Sequence, residues 1–316
     1  MSVDRVATNS QTQFLLAQIM QANKALDESQ AQVSTGKIAS DYTGIGDKTA
    51  ALEAARAAKS RADAYQANTQ LALTQTDLQD AQLTTLSGLA TQLQQAIRNA
   101  VGNSDGTNLI ETAQSIFEQA SAILNSTDAN GNYIYGGQNS DTAPFTATSL
   151  QQLAGGTVSD FFVNGKIAKT VLVSDGQTQQ IGVLADNIGE QLMTALQTLY
   201  NLDTPSGSLS GQLDSTQTDA LTSQALPVAS QAADSLNAAT AANGDAYKSL
   251  QDAVTNQSSM SNLYQGFVSD IEDVDMAKAL TNLSANQVAL QAALQVTASL
   301  GQLSLLNYLP VSTSSG

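Results

Sequence analysis

The chain has 316 residues, a formal net charge of −16, and neither cysteine nor histidine. Without cysteine there are no disulfides, thiol nucleophiles or thiolate metal sites; without histidine the usual neutral-pH acid–base group and the commonest transition-metal ligand are missing. Only 13% of residues are charged and 4% aromatic, with no Trp, against roughly a quarter charged in ordinary soluble domains, so the composition suits long, thin helix bundles better than a thick globular core.

The first apolar pattern runs from about Ser10 to Val33. Leu15, Ile19, Ala22, Leu26, Ser29 and Val33 recur at alternating spacings of four and three residues, which predicts a helix with a coiled-coil seam. Ser34-Thr35-Gly36 ends it, the glycine being suited to a left-handed cap. A turn-rich loop, Asp41-Tyr42-Thr43-Gly44-Ile45-Gly46, follows. From about Lys48 to Val101 the pattern predicts one long helix, Ala-rich at first and later carrying Leu71, Leu78, Leu86, Leu89, Leu93 and Ile97. At a rise of ~1.5 Å per residue it would reach roughly 75–80 Å. Gly102 to Gly106 turns the chain into a shorter helix, about Thr107 to Asn125, with Leu109, Ile116, Ala120 and Ile123 on one face.

Near Asp128 the character changes. Asn130-Gly131, Gly136-Gly137, Pro144, Gly155-Gly156, Asn164-Gly165 and Asp175-Gly176 break up short apolar runs. Phe161-Phe162-Val163 and Thr170-Val171-Leu172-Val173 read as strands, with Asx-Gly pairs as hairpin signals. Helical spacing resumes near Asn187 with Ile188, Leu192, Leu196 and Leu199. A second long helix is expected from about Thr216 to Gln265, irregular at Pro227. A last helix is expected from about Asp270, with Met276, Leu280, Leu283, Leu290 and Leu294 as its stripe, followed by Leu303, Leu305, Leu306 and Leu309. Pro310 and the Ser312 to Gly316 tail read as disordered.

The two ends share an unusual property. Residues 279–316 contain no Asp, Glu, Lys or Arg, and neither does Val6 to Asn23. A helix face in water normally carries charge for solubility and pairing, so neutral flanks beside narrow apolar stripes predict surfaces covered by neighbouring molecules. Such helices need partners to be fully ordered.

The nested order of elements predicts a mainly α fold. Its core would be an elongated antiparallel helical bundle formed by the N- and C-terminal halves, with a small β-rich domain inserted in the middle. The expected divisions are a terminal coiled-coil assembly domain (1–45 and 268–316), a long-helix rod (46–130 and 183–267) and the outer β-rich domain (131–182). The acidic balance and the lack of a basic stripe argue against nucleic acid and anionic membranes as partners. No apolar run is long enough to span a bilayer. Met1-Ser-Val-Asp-Arg leads into polar residues rather than the apolar segment of a secretory signal, so a cytosolic site or export by another route is expected.

No catalytic, cofactor or metal site is expected. Glu272-Asp273-Val274-Asp275 reads as acidic residues in the first turn of the last helix, favourable to its macrodipole. Asp128-Ala129-Asn130-Gly131-Asn132 lacks the glycine and glutamate positions of a calcium loop and reads as a turn. Gly36-Lys37 and Gly165-Lys166 lack the upstream glycine of a phosphate loop, Ala31 and Asp160 standing there. Asp160, Asp175, Lys166 and Lys169 make no nucleophile–base arrangement.

The chain resembles the bacterial flagellin family, in particular its hook-associated protein 3 branch, over roughly Val6 to Ile97 and Ala220 to Leu309. The N-terminal likeness rests on Gln32-Val33-Ser34-Thr35-Gly36-Lys37-Ile38-Ala39-Ser40-Asp41, the C-terminal one on Ile271-Glu272-Asp273-Val274-Asp275-Met276-Ala277 and Thr281-Asn282-Leu283-Ser284. Tyr133-Ile134-Tyr135-Gly136-Gly137-Gln138 with Pro144-Phe145, and the ending Leu300 to Leu309, are similar to the junction branch. The loop after Ser40 departs from the family pattern. The resemblance implies a secreted structural subunit of the extracellular flagellum, exported by the type III apparatus and placed between hook and filament. Its implied partners are copies of itself, hook-associated protein 1, flagellin and an export chaperone. Leu15, Ile19, Leu26, Val33, Met276, Leu280, Leu283, Leu290, Leu294, Leu303 and Leu306 are the expected assembly interface. A filament-forming flagellin is the alternative; a cytosolic coiled-coil scaffold would have charged flanking positions and no β insertion.

Overall fold

The computed structural model describes residues 2–203 and 208–306. Among the described residues, eight α-helices carry most of the chain: α1 (Ser2–Thr35), α2 (Thr49–Asn103), α3 (Leu109–Leu124), α4 (Leu150–Ala154), α5 (Ala185–Asp203), α6 (Ser215–Ala220), α7 (Leu226–Glu272) and α8 (Met276–Leu306). One hairpin, β1 (Thr170–Ser174) and β2 (Gln177–Gln180), forms a two-stranded antiparallel sheet. The fold is mainly α with paired antiparallel long helices and a small sheet inserted between the halves. Two compact units divide the chain, Met1–Arg61 with Met260–Gly316 and Ala62–Ser259; α2 and α7 contribute to both. Among the described residues no helix is long and apolar enough to cross a membrane.

Within Ala62–Ser259, α2 and α7 run antiparallel. Gln94 Nε2 donates to Ser230 Oγ at 2.7 Å, Ser87 Oγ to Asn237 Oδ1 at 2.6 Å, and Asn243 Nδ2 to the Thr76 carbonyl at 3.1 Å, so numbers fall on one helix as they rise on the other. From Thr69 to Ala100 the α2 seam keeps a three-and-four spacing but changes chemistry: Thr69, Ala72, Thr76 and Gln79 are buried before Leu83, and Leu83, Leu86, Ala90, Leu93, Ile97 and Ala100 from there on. The apolar half joins the main core, built with α3, α5 and the start of α7. Phe117 and Phe145 meet edge-on there at 6.1 Å between ring centres, and Asn125 grips the Phe145 backbone through both its amide groups at 2.8 and 3.0 Å.

Pro227 does not end the helix. Having no N–H and a ring that crowds the carbonyl four residues back, it forbids a regular α turn. The chain winds one π turn over Leu221–Ala225 instead, with the Leu226 N–H bonded to the Leu221 carbonyl, and α7 continues through Gly266 to Glu272. The expected break near Gly266 is therefore absent; the break falls at 273–275. Phe161-Phe162-Val163 is not a strand either. Residues Val158–Phe161 form a 3-10 turn and Phe162 makes a single bridge to Phe145. Pro144, with no N–H to give, cannot extend that ladder, and the aromatic rings turn to the core. The Asp175-Gly176 hairpin forms as expected, Gly176 adopting φ +73° beside a bulge between Leu172 and Ser174.

Tyr135, fully buried, donates its phenol to Gln82 Oε1 at 2.6 Å. Burial raises its pKa above that of a free tyrosine. Because the folded value is the raised one, its contribution to stability is complete below about pH 10, the unfolded value, and is lost as pH climbs toward the folded one. In an alkaline titration, Tyr135 should add its tyrosinate absorbance only as the protein unfolds; a Tyr135→Phe variant should lack that late component.

Candidate assembly surface

Helices α1 and α8 pair with each other. Their antiparallel register is set by the Val274 N–H on the Gly36 carbonyl at 2.9 Å and by Asn286 Nδ2 on the Ala25 carbonyl at 3.0 Å and Ser29 Oγ at 2.6 Å. On α1 the inward residues are the expected Leu15, Ile19, Ala22, Leu26, Ser29 and Val33; Ser29 is buried and the rest half-buried. On α8 they are Ala279, Leu283, Asn286, Leu290, Ala293 and Thr297. The predicted stripe is thus met at Leu283 and Leu290 but displaced elsewhere: Ala279 and Ala293 occupy the seam, leaving Leu280 and Leu294 about half exposed at 49% and 51%, with Met276 exposed as well. Small alanines beside the Asn286–Ser29 layer allow close approach of the two helices. Leu303 and Leu306 belong to the last turns of α8, but their side chains lie outside the described residues, as does Leu309 altogether.

A two-helix ribbon buries only one arc of each member. Phe14 (63% exposed), Leu16 and Met20 on α1, and Met276, Leu280, Val288, Leu294 and Val296 on α8, all face outward. Leu16 and Met20 stack one turn apart, as do Met276 and Leu280, with Leu294 five turns on from Met276. No charged residue lies among them from Ala279 onward. Exposed apolar side chains in such a surround are what an interaction surface would present.

The elbow at the base of this ribbon holds a buried carboxylate, Glu272, whose partners sequence reading did not find. Gly36 caps α1 at φ +71°. Lys37 then bridges Asp273, and the Ile38 N–H reaches the Glu272 carbonyl at 2.7 Å. The Glu272 carboxylate, almost buried, accepts from Lys37 Nζ at 3.4 Å and from the Arg56 guanidinium. Arg56 also meets Glu53 at 3.2 Å and the Tyr42 hydroxyl at 3.0 Å, while Tyr42 donates to Glu53 at 2.7 Å. That hydrogen bond, with the charge on Glu53, raises the Tyr42 phenol pKa. One carboxylate thus ties the loop after α1, the start of α2 and the end of α7.

The acidic run is divided rather than gathered in the first turn of α8. Glu272 ends α7, and Asp275 precedes α8, where it accepts from the N–H groups of Ala277 and Lys278 at 2.9 and 3.2 Å. Its position is that of an N-cap. Glu272→Ala should cost the terminal unit about 1.5–2 kcal/mol, the lower part of the range for charged hydrogen bonds because both cations stay partly solvated. Glu272→Gln, which still accepts, should recover part of it; thermal melting and protease nicking near Ile38 would report both.

The other candidates resolve as turns. Asp128 Oδ1 accepts from the N–H groups of Asn130 and Asn132 at 2.8 and 3.0 Å, and the Asn132 bond above all holds this carboxyl below its usual range. Lys166 pairs with Asp186 at 3.1 Å. Among the described residues no cluster of three or more acidic side chains is placed to hold a metal.

Residues 226–309 match the family described as the bacterial flagellin C-terminal helical region. No curated protein matches the chain. Among solved structures, the chain is similar to a candidate flagellar hook-associated protein of Vibrio parahaemolyticus. The TM-score is 0.56 at 16% identity, over 73% of this chain and 98% of that one. It is also similar to FlgL of Bacillus cereus, with a TM-score of 0.51 at 17% identity over 69% of this chain and 98% of that one. The C-terminal helical region of this chain thus resembles that of flagellin, and its fold resembles those of the two flagellar proteins.

Proposed function

We propose that this protein is a structural subunit of the flagellum that joins hook to filament and assembles with copies of itself through α1 and α8. The observation that carries the reading is the half-open ribbon of these helices, free of charge over Val6 to Asn23 and from Ala279 onward, with Phe14, Leu16, Met20, Leu280 and Leu294 exposed. Many repeated weak contacts between such ribbons would give a cooperative closed layer. The match to the flagellin C-terminal region and the fold shared with hook-associated proteins support it. On this reading the subunit leaves the cell with the help of an export chaperone and sits next to hook-associated protein 1 and flagellin. Its work is mechanical rather than catalytic.

The second reading, a filament-forming flagellin, is favoured by the family match itself, since that match is to flagellin. Purified protein added to filament seeds separates the two. A junction subunit caps or decorates seed ends without elongation; a filament subunit extends them. Immunolabelled appendages carry label at one point in the first case and along their length in the second. Label absent from appendages altogether would overturn both.

A further inference from the structure

We infer that the β1–β2 hairpin is a strap that holds the polar-seamed stretch of the α2–α7 pair closed, so that this stretch opens independently of the main core. The polar layer Thr76, Gln79 and Asn243 separates two apolar clusters. On one side lies the main core from Leu83 onward. On the other, α2 and α7 bring only Ala72, Leu73 and Leu250 as buried apolar residues of their cluster, with Val254 half-buried. Both amide atoms of Gln79 are buried without a hydrogen-bond partner, which weakens the layer between. Two helices meeting over threonine, alanine and glutamine gain little from burial and cannot hold a pair of helices together for long.

The hairpin supplies what the seam lacks. Ile181, just after β2, completes the small cluster, and Val171 and Val173 pack against it. Polar contacts reach both helices: Tyr65 donates to Asp175 Oδ1 at 2.6 Å and Lys169 Nζ to Gln75 Oε1 at 3.0 Å on α2, while Gln257 Nε2 on α7 donates to the Val173 carbonyl at 3.0 Å. The stem is self-closing, since the N–H groups of Ile181 and Gly182 both reach the Lys169 carbonyl, at 2.9 and 3.0 Å. The hairpin can therefore be excised without stretching the chain.

The test is native-state hydrogen exchange on the full chain with residues 170–181 replaced by a short glycine linker, and in parallel on Ile181→Ser, which keeps the hairpin but removes its plug. Amides of 66–79 and 243–257 should exchange about 100-fold faster in the linker variant and about 10-fold faster in Ile181→Ser, while those of 86–100 and 113–124 keep their rates. Unchanged protection of the first set in Ile181→Ser would overturn the inference, and so would an equal loss across both sets, which would make the hairpin part of one cooperative unit. A linker variant that failed to fold would overturn it for that same reason.

Discussion

Removing Ala279–Gly316 should abolish polymerisation and leave a soluble monomer whose Ala62–Ser259 unit melts as before. The two halves of this expectation have separate causes. The Ala62–Ser259 unit contains the whole main core, from Leu83 to Leu236, and takes no side chain from α8. The deletion takes away the α8 half of the terminal seam, Leu283 and Leu290 included, together with the outward Leu280 and Leu294. α1, free of charge from Val6 to Asn23, then loses its partner, and a helix without packing partners is marginal in water. The critical concentration for assembly should rise at least about 100-fold, equivalent to ~2.7 kcal/mol per subunit. Sedimentation and circular dichroism measure the two halves independently. Assembly at the original concentration would refute the role given to α8; loss of the main melting transition would refute the independence of the units.

Phe117→Ala should produce the opposite pattern, a large loss of stability in the Ala62–Ser259 unit with the terminal ribbon untouched. Phe117 is buried at the join of α3 with the insertion, its ring against Phe145, which in turn lies 4.9 Å from Phe162. Truncation removes the ring and leaves a cavity that the Asn125 clamp on Phe145 resists closing. Such substitutions cost about 3–5 kcal/mol, here a fall of roughly 10 °C in Tm for a unit of this size. Leu16→Ser, on the open face of α1, is the control: it should change monomer stability by no more than about 0.5 kcal/mol. A Phe117→Ala protein that melts within a degree or two of the parent would show that the insertion and α3 do not share a core.

Local chemistry makes much of this molecule readable from residue order. The α1 seam from Leu15 to Val33 follows from a spacing that only a helix can satisfy on one side. The left-handed end at Gly36, the Asp175-Gly176 hairpin and the disturbance at Pro227 follow from restrictions that single residues place on φ or on hydrogen bonding. The flagellin-like match falls on the C-terminal helices, where the Ile271 to Ala277 motif and the apolar spacing coincide.

Other features are choices that local pattern leaves degenerate. Ala279 and Leu280, or Ala293 and Leu294, are neighbours 100° apart on one broad apolar arc, and either could face inward. The choice falls to the alanines because α1 presents Ser29 and Ala25 to Asn286, which fixes both the register and the depth of approach. Glu272 reads in isolation as one more acid at a helix start. Its partners Lys37 and Arg56 stand 235 and 216 residues away, a distance in sequence across which no local pattern carries information. Phe161-Phe162-Val163 has the composition of a strand but pairs only at the Phe145–Phe162 bridge, because Pro144, which accepts from the Val163 N–H, has no N–H to return. Residue order alone therefore settles which segments are helical, where most of them turn and that the ends are neutral, since these depend on residues within a turn or two of each other. Which arc of α8 is covered, which acid is buried and where the hairpin rests are settled only when distant segments meet, because burial is a property of the pair and not of either member.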